Sequence, residues 1–157
     1  MLPSLQLRSS HHYFEYVCTK QKIVKKDIHF PKVEGVSMAV VKETDNADGA
    51  EWGVYLINNK EVDLKNIIVA SKGYGIIDEQ EIKTSTLRHF FDDLPASSFK
   101  KVEKIVAEVF GLNNEYMLTF YIDGTIYDRK YIFVPDSVVE ANLIQIPLVD
   151  RPGILIR

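Results

Sequence analysis

Two apolar segments close together in the chain decide the fold: residues 52–59 (WGVYLINN) and residues 64–75 (LKNIIVASKGYG). In both, apolar side chains alternate between two faces, which is the period of a β-strand. A polar connection joins the segments, and a Gly-Tyr-Gly sequence ends the second. We therefore expect two neighbouring strands of one antiparallel sheet, with Gly73 and Gly75 at a turn or bulge where the chain leaves it.

The first segment also predicts where the core lies. Trp52, Val54 and Leu56 share one face, and the indole with two aliphatic side chains makes this the face to bury. We expect Trp52 to be the central core residue on an inner strand. Residues 36–41 alternate in the same way, and the polar residues 43–50 contain turn formers, so the two strands should form a hairpin.

Residues 97–110 are ambiguous. Their apolar side chains recur at spacings of three and one, which favours a helix that Ser97 or Ser98 caps and Gly111 ends. A strand from Phe99 to Ile105 is the alternative, and an all-β context supports it. The helix is the preferred interpretation.

A second hairpin is predicted over residues 115–134. Asp123-Gly124 separates two apolar segments, and this pair suits a type I′ turn because both central residues need positive φ. The first strand places four apolar residues on one face, and the second supplies aromatic partners: Tyr116, Leu118, Phe120 and Ile122, then Tyr127, Tyr131 and Phe133.

In total the pattern gives about nine short strands, with turn signals about every ten residues. We therefore predict a mainly β protein: an antiparallel β-sandwich, immunoglobulin-like, with at most one or two short helices. Pro147 and Pro152 place the last strands at an edge or end of a sheet. Residues 31–157 should form this single domain, preceded by a basic N-terminal extension or edge strand over residues 1–30.

Composition indicates a soluble, folded protein, because 46% of the 157 residues are hydrophobic and 26% are charged. Cys18 is the one cysteine, so an intramolecular disulfide is impossible and a reducing compartment is expected. The sequence shows neither the apolar run of a secretory signal nor one long enough to span a membrane. We expect a cytoplasmic location without membrane association.

The net charge of −3 is unevenly distributed. Residues 1–33 carry six basic and two acidic side chains, whereas the remainder is acidic. Four lysines form a candidate basic patch that could contact phosphates or an acidic partner: Lys20, Lys22, Lys25 and Lys26. The competing interpretation is a solvated lysine-rich segment that contacts the acidic body of its own chain.

Two short motifs resemble catalytic or phosphate-binding sequences but lack essential residues. Asp123-Gly124-Thr125 is similar to the motif of haloacid-dehalogenase-type enzymes, but Tyr121 stands where the nucleophilic aspartate belongs. Gly73-Tyr74-Gly75 has neither the third glycine of a dinucleotide site nor the Lys-Ser/Thr pair of a phosphate loop. Both are better explained as turns or bulges.

The ionisable residues predict no catalytic, cofactor or metal site. The four histidines show no metal-binding spacing, and His89 is the one most expected to make a structural hydrogen bond. Asp92, Asp93, Glu79 and Glu81 lack the alternating ligands and glycine bend of a calcium loop. Cys18 has no neighbouring base and is expected to be an inert thiol.

Aromatic and basic residues alternate on the second hairpin. This pattern makes Tyr121, Tyr127, Arg129 and Lys130 the candidate interaction surface, since aromatic and basic side chains anchor protein partners and stack on nucleobases. Strand alternation would bury roughly half of the hairpin's tyrosines, so packing in the core is the competing interpretation.

Four strings carry a family resemblance: KVEGVSMAVVKE at residues 32–43, VYLIN at 54–58, TSTLRH at 84–89 and FGLNNEY at 110–116. They are similar to a family of small uncharacterised bacterial proteins, some of which carry the label phenylalanyl-tRNA synthetase subunit. The resemblance covers most of the chain from about residue 31 and implies a synthetase-associated role. The two arginine motifs of a class II synthetase core do not occur, so aminoacylation by this chain alone is not predicted.

Three functional hypotheses follow. The first is a non-catalytic cytoplasmic module that binds a protein partner, or a second copy of itself, through a sheet edge or the 115–134 hairpin. The second is an accessory RNA- or tRNA-binding role for the lysine patch. The third is an enzyme of unrecognised type, which would need a pocket containing ionisable groups with shifted pKa values. None of the three implies a cofactor from the sequence.

Overall fold

The computed structural model describes residues 31–157, and strands run through most of this range. Residues 31–157 contain ten strands and two 3-10 turns, the latter at Ala107–Val109 and Glu140–Asn142. The strands are β1 (Val36–Asn46), β2 (Gly49–Asn58), β3 (Leu64–Ile77), β4 (Gln80–Lys83), β5 (Leu87–Leu94), β6 (Ser98–Ile105), β7 (Asn113–Ile122), β8 (Thr125–Phe133), β9 (Ile144–Gln145) and β10 (Pro152–Ile156).

These strands form two antiparallel sheets. The first sheet has the order β6-β2-β1-β10-β9. The second has the order β4-β3-β7-β8, and β5 pairs with the first half of the long strand β3. One cluster of buried apolar residues joins the inner faces of both sheets. The predicted antiparallel β-sandwich is therefore confirmed.

The predicted core face of β2 is confirmed. Trp52, Val54 and Leu56 all belong to the central apolar cluster, and the indole meets the Phe110 ring edge to face at 5.3 Å between ring centroids. Trp52 is not the most deeply buried aromatic residue, however, because 8% of its surface is exposed. The aromatic residues with no more than 2% of their surface exposed lie on β7 and β8: Tyr116, Phe120, Tyr131 and Phe133.

The prediction that segments 52–59 and 64–75 are neighbours in one sheet was wrong. β2 pairs with β1 and β6 in the first sheet, whereas β3 pairs with β4, β5 and β7 in the second. The chain crosses between the sheets after Asn58, whose side-chain amide donates to the carbonyls of Val62, Leu94 and Pro95. This buried amide stabilises the crossover.

Gly73 and Gly75 do not end β3, contrary to the predicted turn or bulge. They pair with Asn114 and Ile82 inside a strand that continues to Ile77. A Cβ atom at Gly73 or Gly75 would come within 3.4 Å of a methyl group of Leu112. The two glycines therefore make room for this buried side chain.

The preferred helix over residues 97–110 was also wrong, because β6 occupies Ser98–Ile105 and only a 3-10 turn follows. The register along β2 shifts between Glu103 and Lys101, so Val102 is the extra residue of a β-bulge. The bulge turns both Val102 and Ile105 toward the core. Their spacing of three therefore imitates a helical pattern.

Both predicted hairpins are confirmed. β1 and β2 form the first, although they extend through most of the predicted 43–50 loop and leave only residues 47–48 between them. β7 and β8 form the second, with Asp123 and Gly124 at φ 47° and 76°, as a type I′ turn requires. The expected edge position of the last strands holds for β9, whereas β10 lies between β1 and β9.

Candidate functional site

The candidate site is the side of β8 that does not pair with β7, which we call the β8 edge. β8 is the last strand of its sheet, and no other strand within residues 31–157 pairs with it. At nine residues it is long for an edge strand. Such an edge presents backbone N–H and C=O groups that can pair with another strand.

Side chains of β8 alternate between the core and the outer face of the sheet. Tyr127, Arg129, Tyr131 and Phe133 pair with inward-facing residues of β7 and are buried or half-buried. The intervening residues lie on the outer face, where Ile126, Asp128 and Lys130 are exposed and Ile132 is half-buried. The β8 edge therefore separates a core-facing row from an outer row.

This alternation divides the four predicted interaction residues. Tyr121 and Lys130 lie on the outer face, next to Ile126 and Met117 in the strand register. Tyr127 and Arg129 lie on the opposite face. The structure therefore does not bring the four together as one surface.

The two inward-facing members make internal contacts. The Tyr127 ring stacks on Phe120 at 5.2 Å between centroids with an interplanar angle of 5°. The Arg129 guanidinium donates hydrogen bonds to the carbonyl oxygens of Val33 and Arg157 and lies 4.8 Å from the centre of the Tyr131 ring. Both side chains therefore stabilise the domain, as the competing core interpretation proposed.

The outer face of the second sheet carries several exposed apolar side chains, from β5 at one edge to β8 at the other. Phe90 on β5 is 60% exposed, Ile68 on β3 is 43% exposed, and these two residues pair directly. Met117 on β7 and Ile126 on β8 add to the same face. An exposed apolar sheet face that lies beside an open strand edge is typical of a macromolecular interaction surface.

Other sheet edges are less open to pairing. β6 carries the bulge at Val102 and three lysines, Lys100, Lys101 and Lys104, which are devices that discourage edge-to-edge association. β9 has only two residues and β4 only four. β5, with eight residues and a regular ladder to β3, is also an edge strand, but its His89 side chain contacts Glu103 of β6. Among the strands described, β8 is the longest edge strand that has a regular, unbulged ladder.

A polar cluster lies where β5 approaches β6, and its centre is Glu103. One carboxylate oxygen, Oε2, is 2.7 Å from His89 Nε2 and accepts a hydrogen bond from Ser71 Oγ at 3.0 Å. The other, Oε1, accepts from the Tyr116 hydroxyl at 3.0 Å. Burial raises the pKa of Tyr116, and the nearby negative charge of Glu103 adds to this shift. The hydrogen bond that His89 was predicted to make is present.

A cavity of about 270 Å³ adjoins this cluster, with Ser71, Glu103 and Tyr116 in its lining. Ser71 donates to the carboxylate and not to His89, so the nucleophile-to-base contact of a catalytic triad is not formed here. Both carboxylate oxygens already accept from protein donors. The cluster therefore acts as an inter-sheet connection, and sequence reasoning missed Ser71, Glu103 and Tyr116 as partners because they belong to three different strands.

The remaining sequence motifs have structural explanations. Asp123-Gly124 is a turn, and Gly73-Tyr74-Gly75 lies within β3. Asp93 pairs with Lys65 at 3.5 Å. Between residues 31 and 157, no group of three or more His, Cys, Asp or Glu side chains is placed to hold a metal ion. Some predicted features lie outside the described residues: the lysine patch (Lys20, Lys22, Lys25 and Lys26), Cys18 and the three histidines that precede His89.

No helix in the described part of the chain is long and apolar enough to cross a membrane. Comparisons with known proteins add no identification: no protein-family model, no curated protein and no solved structure matches this chain.

Proposed function

We propose that this protein is a non-catalytic module that binds a protein partner by strand addition at the β8 edge. One observation carries the proposal: a nine-residue edge strand whose outward backbone groups pair with no described strand. Strand addition uses these main-chain groups for affinity and the neighbouring side chains for specificity. The exposed outer face, with Tyr121, Lys130 and Ile126, would supply those side-chain contacts.

The proposal extends to location and topology. A cytoplasmic protein agrees with the single cysteine of the sequence, Cys18. An immunoglobulin-like arrangement remains our expectation for this two-sheet sandwich. The accessory RNA-binding role remains an alternative that rests on Lys20, Lys22, Lys25 and Lys26, and the family resemblance is what favours it.

Photo-crosslinking from the edge tests the proposed function. A benzoylphenylalanine residue is introduced at Ile126 of the full chain, which is then irradiated in its native cells. We expect a covalent adduct with a protein. The matched control carries the same group at Asp48, an exposed position in the β1–β2 turn, and should give no adduct.

A second variant links the adduct to the strand edge. Asp128→Pro removes an N–H from the middle of the β8 edge, and proline is tolerated where this N–H faces away from the sheet. The adduct from Ile126 should disappear in this background. The melting temperature is measured alongside, because Asp128→Pro also removes a carboxylate that accepts a hydrogen bond from Thr119 Oγ1. An Ile126 yield no higher than the Asp48 yield would overturn the proposed function.

A further inference from the structure

The hairpin turn determines which backbone groups of β8 face outward. A two-residue type I′ turn closes on a hydrogen-bonded pair, here Ile122 and Thr125. Hydrogen-bonded and non-hydrogen-bonded pairs then alternate along the antiparallel ladder. Thr125, Tyr127, Arg129, Tyr131 and Phe133 therefore bond to β7, while the N–H and C=O groups of Ile126, Asp128, Lys130 and Ile132 point outward.

The outward residues of β8 are complementary to themselves. If two copies of β8 pair antiparallel about a two-fold axis at Arg129, Asp128 of each copy lies opposite Lys130 of the other. Ile126 likewise lies opposite Ile132. All four of these residues are on the outer face of the sheet. Opposite charges and apolar side chains that face each other directly across two strands stabilise the pairing.

Backbone geometry supports the same register. Because the paired residues are the ones whose N–H and C=O groups point outward, each of the four pairs can exchange two hydrogen bonds, about eight in all. The interface is isologous, so the same patch serves both copies and the assembly closes as a dimer. The second sheets of the two copies would become one continuous antiparallel sheet.

Neighbouring registers are unfavourable. A shift that centres the axis on Asp128 places two aspartates opposite each other, and one centred on Lys130 does the same for two lysines. Like charges in direct opposition destabilise a strand pair. A register offset by one residue along one strand pairs residues whose backbone groups point outward with residues whose backbone groups already bond to β7. The hydrogen bonds between the two copies then cannot form.

The axis itself passes beside Arg129 of both copies. Its guanidinium is held on the core side by the carbonyl oxygens of Val33 and Arg157 and by the Tyr131 ring. These contacts give the guanidinium hydrogen-bond acceptors within its own chain. The register therefore carries one Arg129–Arg129 pair on the core side against two Asp128–Lys130 pairs on the outer face.

We propose that the partner at the β8 edge is a second copy of this chain, an inference that rests on the proposed function. The two copies are joined by antiparallel β8–β8 pairing, in which Asp128 of each copy lies opposite Lys130 of the other. The contact is small, since it involves one strand from each copy, so the dimer should be weak and concentration-dependent. Strand addition to an unrelated protein is the alternative outcome at the same edge.

Charge reversal tests the register by sedimentation equilibrium over a micromolar to millimolar concentration series. Asp128→Lys and Lys130→Asp should each weaken self-association by roughly tenfold or more, since both symmetric pairs change from attraction to repulsion. Asp48→Lys, which makes the same charge change away from β8, should leave self-association unchanged. Both residues also have contacts within their own chain: Asp128 accepts a hydrogen bond from Thr119 Oγ1 at 2.6 Å, and Lys130 Nζ lies 3.7 Å from Glu115 Oε2. The melting temperature of each variant is therefore measured alongside.

Mixing provides the decisive result. Equal amounts of Asp128→Lys and Lys130→Asp should form a heterodimer, because every Lys then faces an Asp in both pairs. The double variant with both substitutions should again form homodimers. Recovery in these two samples cannot arise from misfolding of the single variants. A mixture that stays monomeric while wild type dimerises would overturn the proposed register.

Amide hydrogen exchange locates the contact. The amides of Ile126, Asp128, Lys130 and Ile132 should gain protection as the wild-type concentration rises, while those of Tyr127 and Arg129 are protected throughout. Protection of the first set at the lowest concentration would overturn the inference, as would a wild-type monomer at every concentration. If that monomer still gives a heterologous adduct from Ile126, the proposed function stands and only its identification of the partner fails.

Discussion

The carboxylate of Glu103 on β6 lies 2.7 Å from Nε2 of His89 on β5, and this contact connects the edge strands of opposite sheets. Ser71 on β3 and Tyr116 on β7 donate to the same carboxylate. One edge of the sandwich is thus bridged by a side-chain network between two edge strands. On β8 the Tyr131 hydroxyl donates to the carbonyl of Val36 on the inner strand β1, whereas the outward backbone groups of β8 pair with no described strand. This difference is one reason why we propose a partner site at β8.

Removal of the Glu103 carboxylate should destabilise the domain. Glu103→Ala leaves the nearly fully buried Tyr116 hydroxyl and the Ser71 hydroxyl without this acceptor, and we expect a loss of about 2–3 kcal/mol in the free energy of unfolding. Urea unfolding, monitored through the fluorescence of Trp52, measures this loss in the free energy of unfolding. Glu103→Gln keeps an acceptor oxygen and should lose less, and Glu108→Ala, at an exposed glutamate, should change little. Equal losses for all three variants would contradict the bridging role.

Asn58→Asp should disrupt the crossover between the sheets. The Asn58 side chain is fully buried, its amide faces three backbone carbonyls, and its Oδ1 accepts from the Lys60 N–H at 3.0 Å. A carboxylate would oppose those carbonyls with a second acceptor, at a cost of about 3 kcal/mol or more. The exposed neighbour allows a matched control, Asn59→Asp. Unfolding curves that coincide for the two variants would show that the amide does not stabilise the crossover.

Gly153 should not tolerate a side chain. An added Cβ would lie 2.5 Å from the carbonyl oxygen of Val40 and 3.1 Å from the Cα atom of Val41, both in the backbone of the neighbouring strand β1. Gly153→Ala should therefore lose at least about 2 kcal/mol of stability. At Gly111 the only atom of residues 31–157 within 4 Å of such a Cβ is a methyl carbon of Ile77 at 3.9 Å, so Gly111→Ala should be neutral or stabilising by up to about 1 kcal/mol. Thermal unfolding of the pair distinguishes these outcomes, and a tolerated Gly153→Ala would show that β10 can move away from β1.

The domain should lose stability at alkaline pH partly through Tyr55. Burial raises the pKa of this residue to about 12, and its hydrogen bond to Glu43 Oε1 at 2.5 Å adds to the effect. The folded state therefore keeps a proton that the unfolded state releases near pH 10. This contribution to stability is complete below about pH 10 and is lost as the pH rises toward about 12.

The test compares the free energy of unfolding of wild type and Tyr55→Phe at several pH values. The variant should show a shallower decline between about pH 10 and pH 12, since its side chain has no proton to release. Tyr121→Phe makes the same substitution on the outer face and is the control. Parallel curves for wild type and Tyr55→Phe would contradict the predicted coupling.

Local features were predictable wherever short-range geometry decides them. The Asp123-Gly124 turn determines both a hairpin and its register, because these two residues readily adopt positive φ. The alternation along β2 correctly identified Trp52, Val54 and Leu56 as core residues. The nearby segment 97–110 was misread because the bulge at Val102 exists only through pairing with β2.

The candidate site was predictable in part. The sequence indicated the 115–134 hairpin and its tyrosines, and alternation already suggested that half of them would be buried. It could not show that Tyr127 and Arg129 face Phe120 and the Val33 carbonyl, since these contacts depend on distant parts of the chain. The Glu103 cluster gave no signal, because its members are brought together only when the two sheets pack.

The sequence by itself determined that the chain forms a β-sandwich, since alternating apolar residues and turn formers act over a few neighbouring positions. Only the tertiary structure decided that residues 52–58 and 64–77 enter different sheets and that β8 is the last described strand of one of them. The physical reason is that strand order depends on long-range backbone pairing and on buried contacts such as those of Asn58. Local patterns carry little information about either.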